Sequence, residues 1–401
     1  MCRFLLALAA GVCLPMPHAH SDGAVFTVTE HSAQSAATAD QRAIIAHDGG
    51  RQTLILQTTY EDPHSEFAWV IPTPSEVTRA DVAEVEPKVF SLLRELSEPR
   101  ALVVSANGGG TGGCFGGGAG PSRPHEQYSG VDIWDQFAVG DYDVAILSAH
   151  ESAALGQWLG DNGYHVPAQA TPALAHYTQR GWFFTALKVR PHTAQRPGSA
   201  GTDLHAMQGN LRPIRVSFDA VAPVFPLRIS AASTRHSVSV LLYVLAPHRM
   251  QGTNFATVPV DVGVWDGTPF GEYYARRFDE ALSAAAGPAL VVEYAAPLST
   301  GALRQLSDWG GLDPGTDWFL TRLRTRLAPQ QMMDDIFLGP ADSSDSLRII
   351  ARHPDAAGDG LRLAACLLLL AGVVLTGLNR RCPRNWPRAL CLALVVVVMV
   401  L

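Results

Sequence analysis

Cysteine is scarce in this chain of 401 residues, and the positions of its six cysteines exclude a disulfide framework. Two cysteines lie within the first 13 residues and three lie after residue 365, so Cys114 is the one thiol between residues 20 and 353. A single cysteine cannot close an intradomain disulfide, and a domain of this length has a core large enough not to need one. The glycine-rich sequence around Cys114 offers no fixed base, so we expect a passive exposed thiol rather than a catalytic nucleophile.

Positive charge is also in short supply. The only lysines are Lys88 and Lys188, and 30 basic against 37 acidic residues give a formal net charge of −7 at pH 7. Proteins that bind nucleic acid usually carry a concentrated basic surface. The composition therefore argues against a nucleic-acid partner.

The familiar catalytic and cofactor motifs are missing as well. The chain contains no H-E-x-x-H zinc motif and no G-x-S-x-G nucleophile elbow. Gly108, Gly110 and Gly113 do satisfy the dinucleotide pattern G-x-G-x-x-G. That pattern requires a helix directly after the glycines, whereas the sequence continues with GGGAGP, in which a helix is unfavourable. We expect a surface loop at 107–120, and the sequence assigns no cofactor and no metal.

The two ends of the chain carry targeting signals. Residues 1–19 combine Arg3, an apolar run and the small residue Ala19, which is typical of a cleaved signal peptide. Residues 361–378 are 18 mostly apolar residues, about the minimum length of a transmembrane helix. Both signals indicate a protein of the cell membrane.

Basic residues set the expected orientation. Residues 379–388 contain four arginines and no acid, so this loop is predicted to be cytoplasmic. Residues 20–353 are then an extracytoplasmic domain, periplasmic or at the cell surface, joined to the span by a linker at 354–360. The last segment, 389–401, is a hydrophobic tail or a second transmembrane segment.

Hydrophobic patterning predicts mixed secondary structure in residues 20–353. Asp48-Gly49-Gly50 is predicted to join a hairpin of strands at 42–47 and 52–60. Further strands are predicted in EFAWVIPTPS, VDIWDQFAV, DYDVAILSA, WFFTALKVR, LRPIRVSF, VFPLRIS, SVSVLLYVLA, ALVVEYA, DWFLTRLRTRLA and LRIIARH. Helices are predicted after Pro87, after a capping box at Ser148–Glu151, at 172–180 and in GEYYARRFDEALSAAA. This order favours an α+β fold with mostly antiparallel sheet and interspersed helices, plus the C-terminal transmembrane helix.

Four blocks of sequence resemble a known family. They are, in order, AHDGGRQTLILQTTYEDPHSEFAWVIPTP, DYDVAILSAHESAALGQWLGDNGYHVP, LRPIRVSF with VFPLRISA, and FLTRLRTRLAPQQMMDDI. Together they resemble the bacterial domain of unknown function 2330 family, from about Gly23 to about His353. The resemblance implies a secreted or membrane-anchored protein without an established activity, and it supplies no catalytic residues.

Charged residues near the end of the domain are candidate binding positions. Asp334 and Asp335 bind a cation, or form a solvated face, or lie in the N-terminal turn of a helix. Arg322 and Arg324, at alternate positions with Arg326, share one face of the predicted strand. That face is either an anion-binding stripe or the solvent side of a sheet.

Trp69 is the one aromatic candidate. It could bind a ligand, but Val70 and Ile71 beside it favour a place in the core.

Two functions remain open from the sequence. The first, which we favour, is a non-catalytic binding or envelope-associated domain, because an anchor is present and catalytic motifs are missing. The alternative is an extracytoplasmic hydrolase of unfamiliar type, built from His47, Asp48, Arg322 and Asp334. Convergence of those four side chains in one pocket would favour the enzyme.

Overall fold

A computed structural model describes residues 24–27, 40–57, 67–102, 130–140, 142–164, 166, 168–189, 212–232, 234, 237–307, 309 and 312–352. The predicted signal peptide, the glycine-rich segment with Cys114 and the predicted membrane segments lie outside these residues. Within the described ranges, no helix is both long and apolar enough to cross a membrane.

Helices and strands alternate irregularly along the chain. The helices are α1 (Lys88–Ser97), α2 (Ser152–Asp161), α3 (Thr171–Thr178), α4 (Phe270–Ala284) and α5 (Thr300–Ser307). The strands are β1 (Ala24–Thr27), β2 (Asp40–Asp48), β3 (Arg51–Gln57), β4 (Phe67–Thr73), β5 (Val82–Glu84), β6 (Arg100–Leu102), β7 (Val131–Val139), β8 (Tyr142–Ala149), β9 (Phe183–Val189), β10 (Ile214–Asp219), β11 (Val224–Phe225), β12 (Val238–Ala246), β13 (Met250–Gly252), β14 (Ala256–Pro259), β15 (Ala289–Pro297), β16 (Phe319–Leu327), β17 (Ile336–Pro340), β18 (Leu347–Arg348) and β19 (Ile350–Arg352).

The described residues divide into two compact units, and the larger unit is built on a nine-stranded sheet. This unit comprises the described residues before 100, between 112 and 261, and at 278–349. The strand order of its large sheet is β14-β15-β16-β12-β2-β3-β10-β5, with β18 added against β15. The pairs β2–β12 and β14–β15 are parallel, and the others are antiparallel. The predicted α+β class with mostly antiparallel sheet is therefore confirmed.

The two faces of the large sheet bury separate cores. Side chains alternate along a strand, so adjacent residues of β2 point to opposite faces. Ile45 belongs to the same core as Trp69, whereas Ile44 belongs to a second core with Phe90 and Leu93 of α1. Burial on both faces explains the apolar runs Ala43–Ala46 in β2 and Val240–Ala246 in β12.

A five-stranded antiparallel sheet in the order β1-β4-β9-β8-β7 contributes to the larger core. Its strand β4 contains Pro72 and ends at Thr73, directly before Pro74. Strand β1 pairs only as far as Val70, so Pro72 has a partner strand on one side only. A proline is tolerated there because it removes no hydrogen bond from a second ladder.

Some local predictions are wrong. The predicted capping box fails because Ser148 lies inside β8, where its hydroxyl accepts a hydrogen bond from Trp134, and α2 begins after Glu151. The predicted strand VFPLRIS stops at Phe225, since the next residue, Pro226, has no N–H for a ladder. A 3-10 turn at Arg228–Ala232 follows and supplies one side of the site described below.

The second unit comprises the described residues at 100–102, 262–277 and 350–352. Its strands β6 and β19 form a parallel pair. A small core of Trp265, Tyr273 and Ala351 stabilises it.

Candidate functional site

The structure brings His176, Asp334 and Asp335 together, although the histidine and the two aspartates are far apart in sequence. One side-chain ligand atom from each residue lies within 4.8 Å of the other two. His176 is on the last turn of α3, and the aspartates are in the turn directly before β17.

Helix α3 holds the histidine inside the protein. The helix starts at Thr171 with proline in its first turn, and Gly181, with φ of +66°, follows its end as the sequence predicts. Its buried residues include Leu174 and Tyr177, and His176 is only 8% exposed. The imidazole packs edge-on against the Tyr177 ring, with the ring centroids 5.2 Å apart.

Asp335 is completely buried, and its carboxylate is held in one orientation. Its Oδ1 accepts hydrogen bonds from the Tyr177 hydroxyl at 2.6 Å and from the backbone N–H of Arg228 at 3.0 Å. Its backbone carbonyl accepts a third hydrogen bond, from Asn254. These contacts leave Oδ2 on the side of His176, without a hydrogen-bond partner.

The His176 ring nitrogen Nε2 also lacks a hydrogen-bond partner. It lies 3.8 Å from Asp334 Oδ1 and 4.0 Å from Asp335 Oδ2. Both separations are too long for a hydrogen bond. Two buried polar atoms thus face each other without contact, which is uncommon because each costs about 1–3 kcal/mol when left unsatisfied.

Asp334 forms the open side of the cluster. Its side chain is 51% exposed, and its Oδ1 accepts a hydrogen bond from the backbone N–H of Asp335 at 3.0 Å. Of the three alternatives predicted for this acidic pair, the solvated face describes Asp334 but not the buried Asp335. The pair precedes a strand, so the helix N-terminal turn is wrong.

Burial shifts both inner groups toward their neutral forms. Burial, reinforced by the charges of Arg228 and Arg180, lowers the pKa of His176 from 6.5 to about 4. Burial raises the pKa of Asp335 from 3.8 to about 6, against the hydrogen bonds from Tyr177 and the Arg228 backbone. At pH 7 the imidazole is neutral and the carboxylate is mostly ionised, which are the forms that ligate metals.

Comparison with known families assigns most of the described region, up to residue 339, to one family. A family profile described as an uncharacterised protein conserved in bacteria, DUF2330, matches residues 21–339. The chain belongs to this family. The resemblance inferred from the four sequence blocks is thereby confirmed.

No curated protein matches this DUF2330 member. Among solved structures it is similar to baculovirus P35, with 10% identity, a TM-score of 0.31, and coverage of 76% of this chain and 97% of P35. A mutated baculovirus P35 after caspase cleavage gives 9% identity, a TM-score of 0.30, and coverage of 76% and 100%. Scores this low support no statement about fold or function.

The predicted pair His47 and Asp48 lies at the β2–β3 hairpin, and each residue has its own partner. His47 Nε2 is 2.8 Å from the carbonyl oxygen of Ala220. Asp48 Oδ2 accepts a hydrogen bond from the Thr316 hydroxyl at 2.6 Å.

Arg322, Arg324 and Arg326 share one face of β16, as predicted, and this face is covered at Arg322 and exposed at Arg326. Arg322 is buried, and its Nε donates to Glu293 Oε2 at 2.6 Å. Arg324 and Arg326 both lie over the ring of Phe278 from α4, at 4.8 and 5.6 Å from its centroid. The arginines therefore pack against an acid and an aromatic ring, and the solvent-face interpretation fails for Arg322.

Two candidates remain, Trp69 and Cys114. Trp69 is 1% exposed and belongs to the larger core, so its interpretation as a core residue is confirmed. Cys114 lies outside the described residues.

Sequence reasoning missed His176 entirely. A lone histidine within TPALAHYTQR has no metal-binding partner at helical spacing. The available signal was limited to the adjacent acids Asp334 and Asp335, and nothing in their local sequence indicates His176 as a partner.

Proposed function

We propose that this DUF2330 member is a membrane-anchored extracytoplasmic protein whose main domain binds a ligand or envelope component without catalysis. The proposed location rests on the signal-like residues 1–19, the apolar segment 361–378 and the arginine-rich loop 379–388.

The observation that supports a non-catalytic role is the dispersal of the four residues from which a hydrolase would be built. His47, Asp48 and Arg322 contact Ala220, Thr316 and Glu293, respectively. Asp334 instead faces His176. A hydrolase needs its nucleophile, base and charge-stabilising groups around one reacting atom, and these four engage separate partners.

Thiol labelling in intact cells tests the location. In one chain, serine replaces the other five natural cysteines, so that Cys382 in the predicted cytoplasmic loop is the only thiol. A second chain has all six replaced and carries Val221→Cys, at a position with a fully exposed side chain. A membrane-impermeant maleimide should label the Val221→Cys chain in spheroplasts and should label Cys382 only after permeabilisation. The reverse pattern would contradict the proposed orientation.

Hydrolysis assays test the absence of catalysis. The purified full chain should not accelerate the hydrolysis of p-nitrophenyl esters or phosphates beyond the buffer rate. Turnover that disappears in Asp334→Asn, but survives in Asp342→Asn on the exposed loop before β18, would favour the hydrolase instead.

A further inference from the structure

We infer that His176, Asp334 and Asp335 bind one divalent transition-metal ion that ties α3 to the turn before β17. This inference concerns a site in the described region and does not depend on where the protein resides in the cell.

The donor atoms fit this class of ion. Imidazole nitrogen suits zinc and its neighbours in the first transition row, and carboxylate oxygen suits divalent cations generally. One nitrogen and two carboxylates therefore favour Zn²⁺ or Mn²⁺ over Ca²⁺ and Mg²⁺, which are bound mainly through oxygen.

The spacing of the donors fits an ion after a small contraction. The distances from His176 Nε2 are 3.8 Å to Asp334 Oδ1 and 4.0 Å to Asp335 Oδ2. Tetrahedral ligands at about 2.0–2.1 Å from zinc are about 3.4 Å apart, so each carboxylate oxygen must approach the imidazole nitrogen by about half an ångström. The two carboxylate oxygens lie within 4.8 Å of each other and must approach by at most about 1.4 Å. The half-exposed Asp334 side chain can supply most of this movement.

The surroundings of Asp335 resemble the outer shell of a metal site. In such sites, hydrogen bonds to one oxygen of a ligating carboxylate orient the other oxygen toward the metal. Here the Tyr177 hydroxyl and the Arg228 N–H bind Oδ1, and Oδ2 is left facing the histidine.

The two buried atoms without partners are the observation that points to a ligand. His176 Nε2 and Asp335 Oδ2 belong to side chains that are at least nine-tenths buried, and neither has a hydrogen-bond partner. A bound cation would satisfy both at once. A bridging water could do the same, and the experiment below separates the two.

The proposed ion is structural. Its ligands come from α3 and from the turn before β17. The backbone N–H of Arg228, in the 3-10 turn at Arg228–Ala232, donates a hydrogen bond to Asp335 Oδ1. The positive charges of Arg228 and Arg180 act on the same histidine, so we expect moderate affinity rather than the tight binding of a site made only of anions.

Equilibrium dialysis of the metal-stripped, tag-free full chain in detergent tests the inference, with Zn²⁺ as the probe and elemental analysis as the readout. The natural chain should bind one Zn²⁺. Asp334→Asn should bind it about 100-fold more weakly, because even loss of an outer-shell partner typically costs about 10- to 100-fold. Asp342→Asn, which removes the same charge from an exposed loop, should bind like the natural chain.

Three outcomes would overturn the inference. No zinc uptake by the natural chain would show that a water fills the gap. Equal binding by Asp334→Asn and the natural chain would show adventitious binding. Loss of binding in Cys114→Ser would place the zinc on the thiol instead.

Cobalt gives a readout that needs no variant. Co²⁺ bound to nitrogen and oxygen ligands should show weak visible bands without the strong near-ultraviolet absorption of a cobalt–thiolate bond. Thiolate absorption would contradict the assignment.

Discussion

Glu293 and Asp335 are both carboxylates without exposed surface in the same unit, yet their surroundings differ. Glu293, on β15, receives the Arg322 guanidinium at 2.6 Å and has Arg324 at 3.8 Å. Asp335 receives neutral donors on one oxygen, while its other oxygen faces a neutral histidine. The sheet therefore supplies Arg322 as the cation for Glu293. In the α3 cluster, Asp335 Oδ2 has no hydrogen-bond partner among the described residues, and we propose a bound metal ion there.

Replacing Arg322, the cation that pairs with Glu293, should give the largest loss of stability. Arg322→Met leaves Glu293 buried without its closest partner, and we expect a loss of about 3–5 kcal/mol in the free energy of unfolding. Denaturant titration measures it, and adding Glu293→Gln to the same chain should restore part of the loss. A single variant as stable as the natural chain would show that the pair is not needed.

Removing the hydroxyl that orients Asp335 should have a smaller effect. Tyr177→Phe deletes its hydrogen bonds with Asp335 and with the Ile229 N–H, both in the interior, so we expect a loss of about 1–3 kcal/mol. Zn²⁺ affinity should also fall about 10-fold, because the carboxylate loses its orienting partner. Unchanged Zn²⁺ affinity would count against the outer-shell role.

The buried histidine should make the stability of the protein depend on pH. The pKa of His176 is about 4 in the folded protein and 6.5 in the unfolded chain. Between these pH values the unfolded chain takes up a proton at this histidine and the folded protein does not. His176 therefore reduces stability progressively as pH falls from 6.5 toward 4. In the presence of chelator, the melting temperature of His176→Gln relative to the natural chain should rise as pH is lowered through this window. A constant difference would contradict the lowered pKa.

An exposed arginine of the same strand should matter least. Arg326 Nη1 pairs with Asp279 at 2.5 Å, and the two side chains are 39% and 51% exposed. Surface ion pairs contribute about 0–1 kcal/mol, so Arg326→Met should change stability by less than Arg322→Met. Equal losses of stability in Arg326→Met and Arg322→Met would show that the buried ion pair contributes no more than the exposed one.

The sequence predicted the strands and the common face of these arginines well. Alternation along FLTRLRTRL defines both without reference to the rest of the chain. It did not predict that Phe278 and Glu293 pack against that face. These two residues belong to other elements, and only the tertiary fold brings them into contact with the arginines.

The candidate site was only half predictable. The adjacent aspartates are visible in QQMMDDI, but their partner His176 is on a helix remote in sequence. The distance between such segments is set by sheet order and by the 3-10 turn that replaced a predicted strand at Arg228–Ala232. Local sequence patterning specifies neither the order of the strands nor the 3-10 turn.

Thermal unfolding with and without Zn²⁺ is the decisive measurement for the proposed metal site. At a free Zn²⁺ concentration about 100 times the dissociation constant of the natural chain, a single site stabilises the folded chain by about 2.7 kcal/mol, whereas 100-fold weaker binding leaves about 0.4 kcal/mol. The melting temperature of the natural chain and of Arg322→Met should therefore rise by about 2 °C or more, and that of Asp334→Asn by less than about 1 °C. An equal rise in Asp334→Asn, or no rise in the natural chain, would contradict a metal site at His176, Asp334 and Asp335.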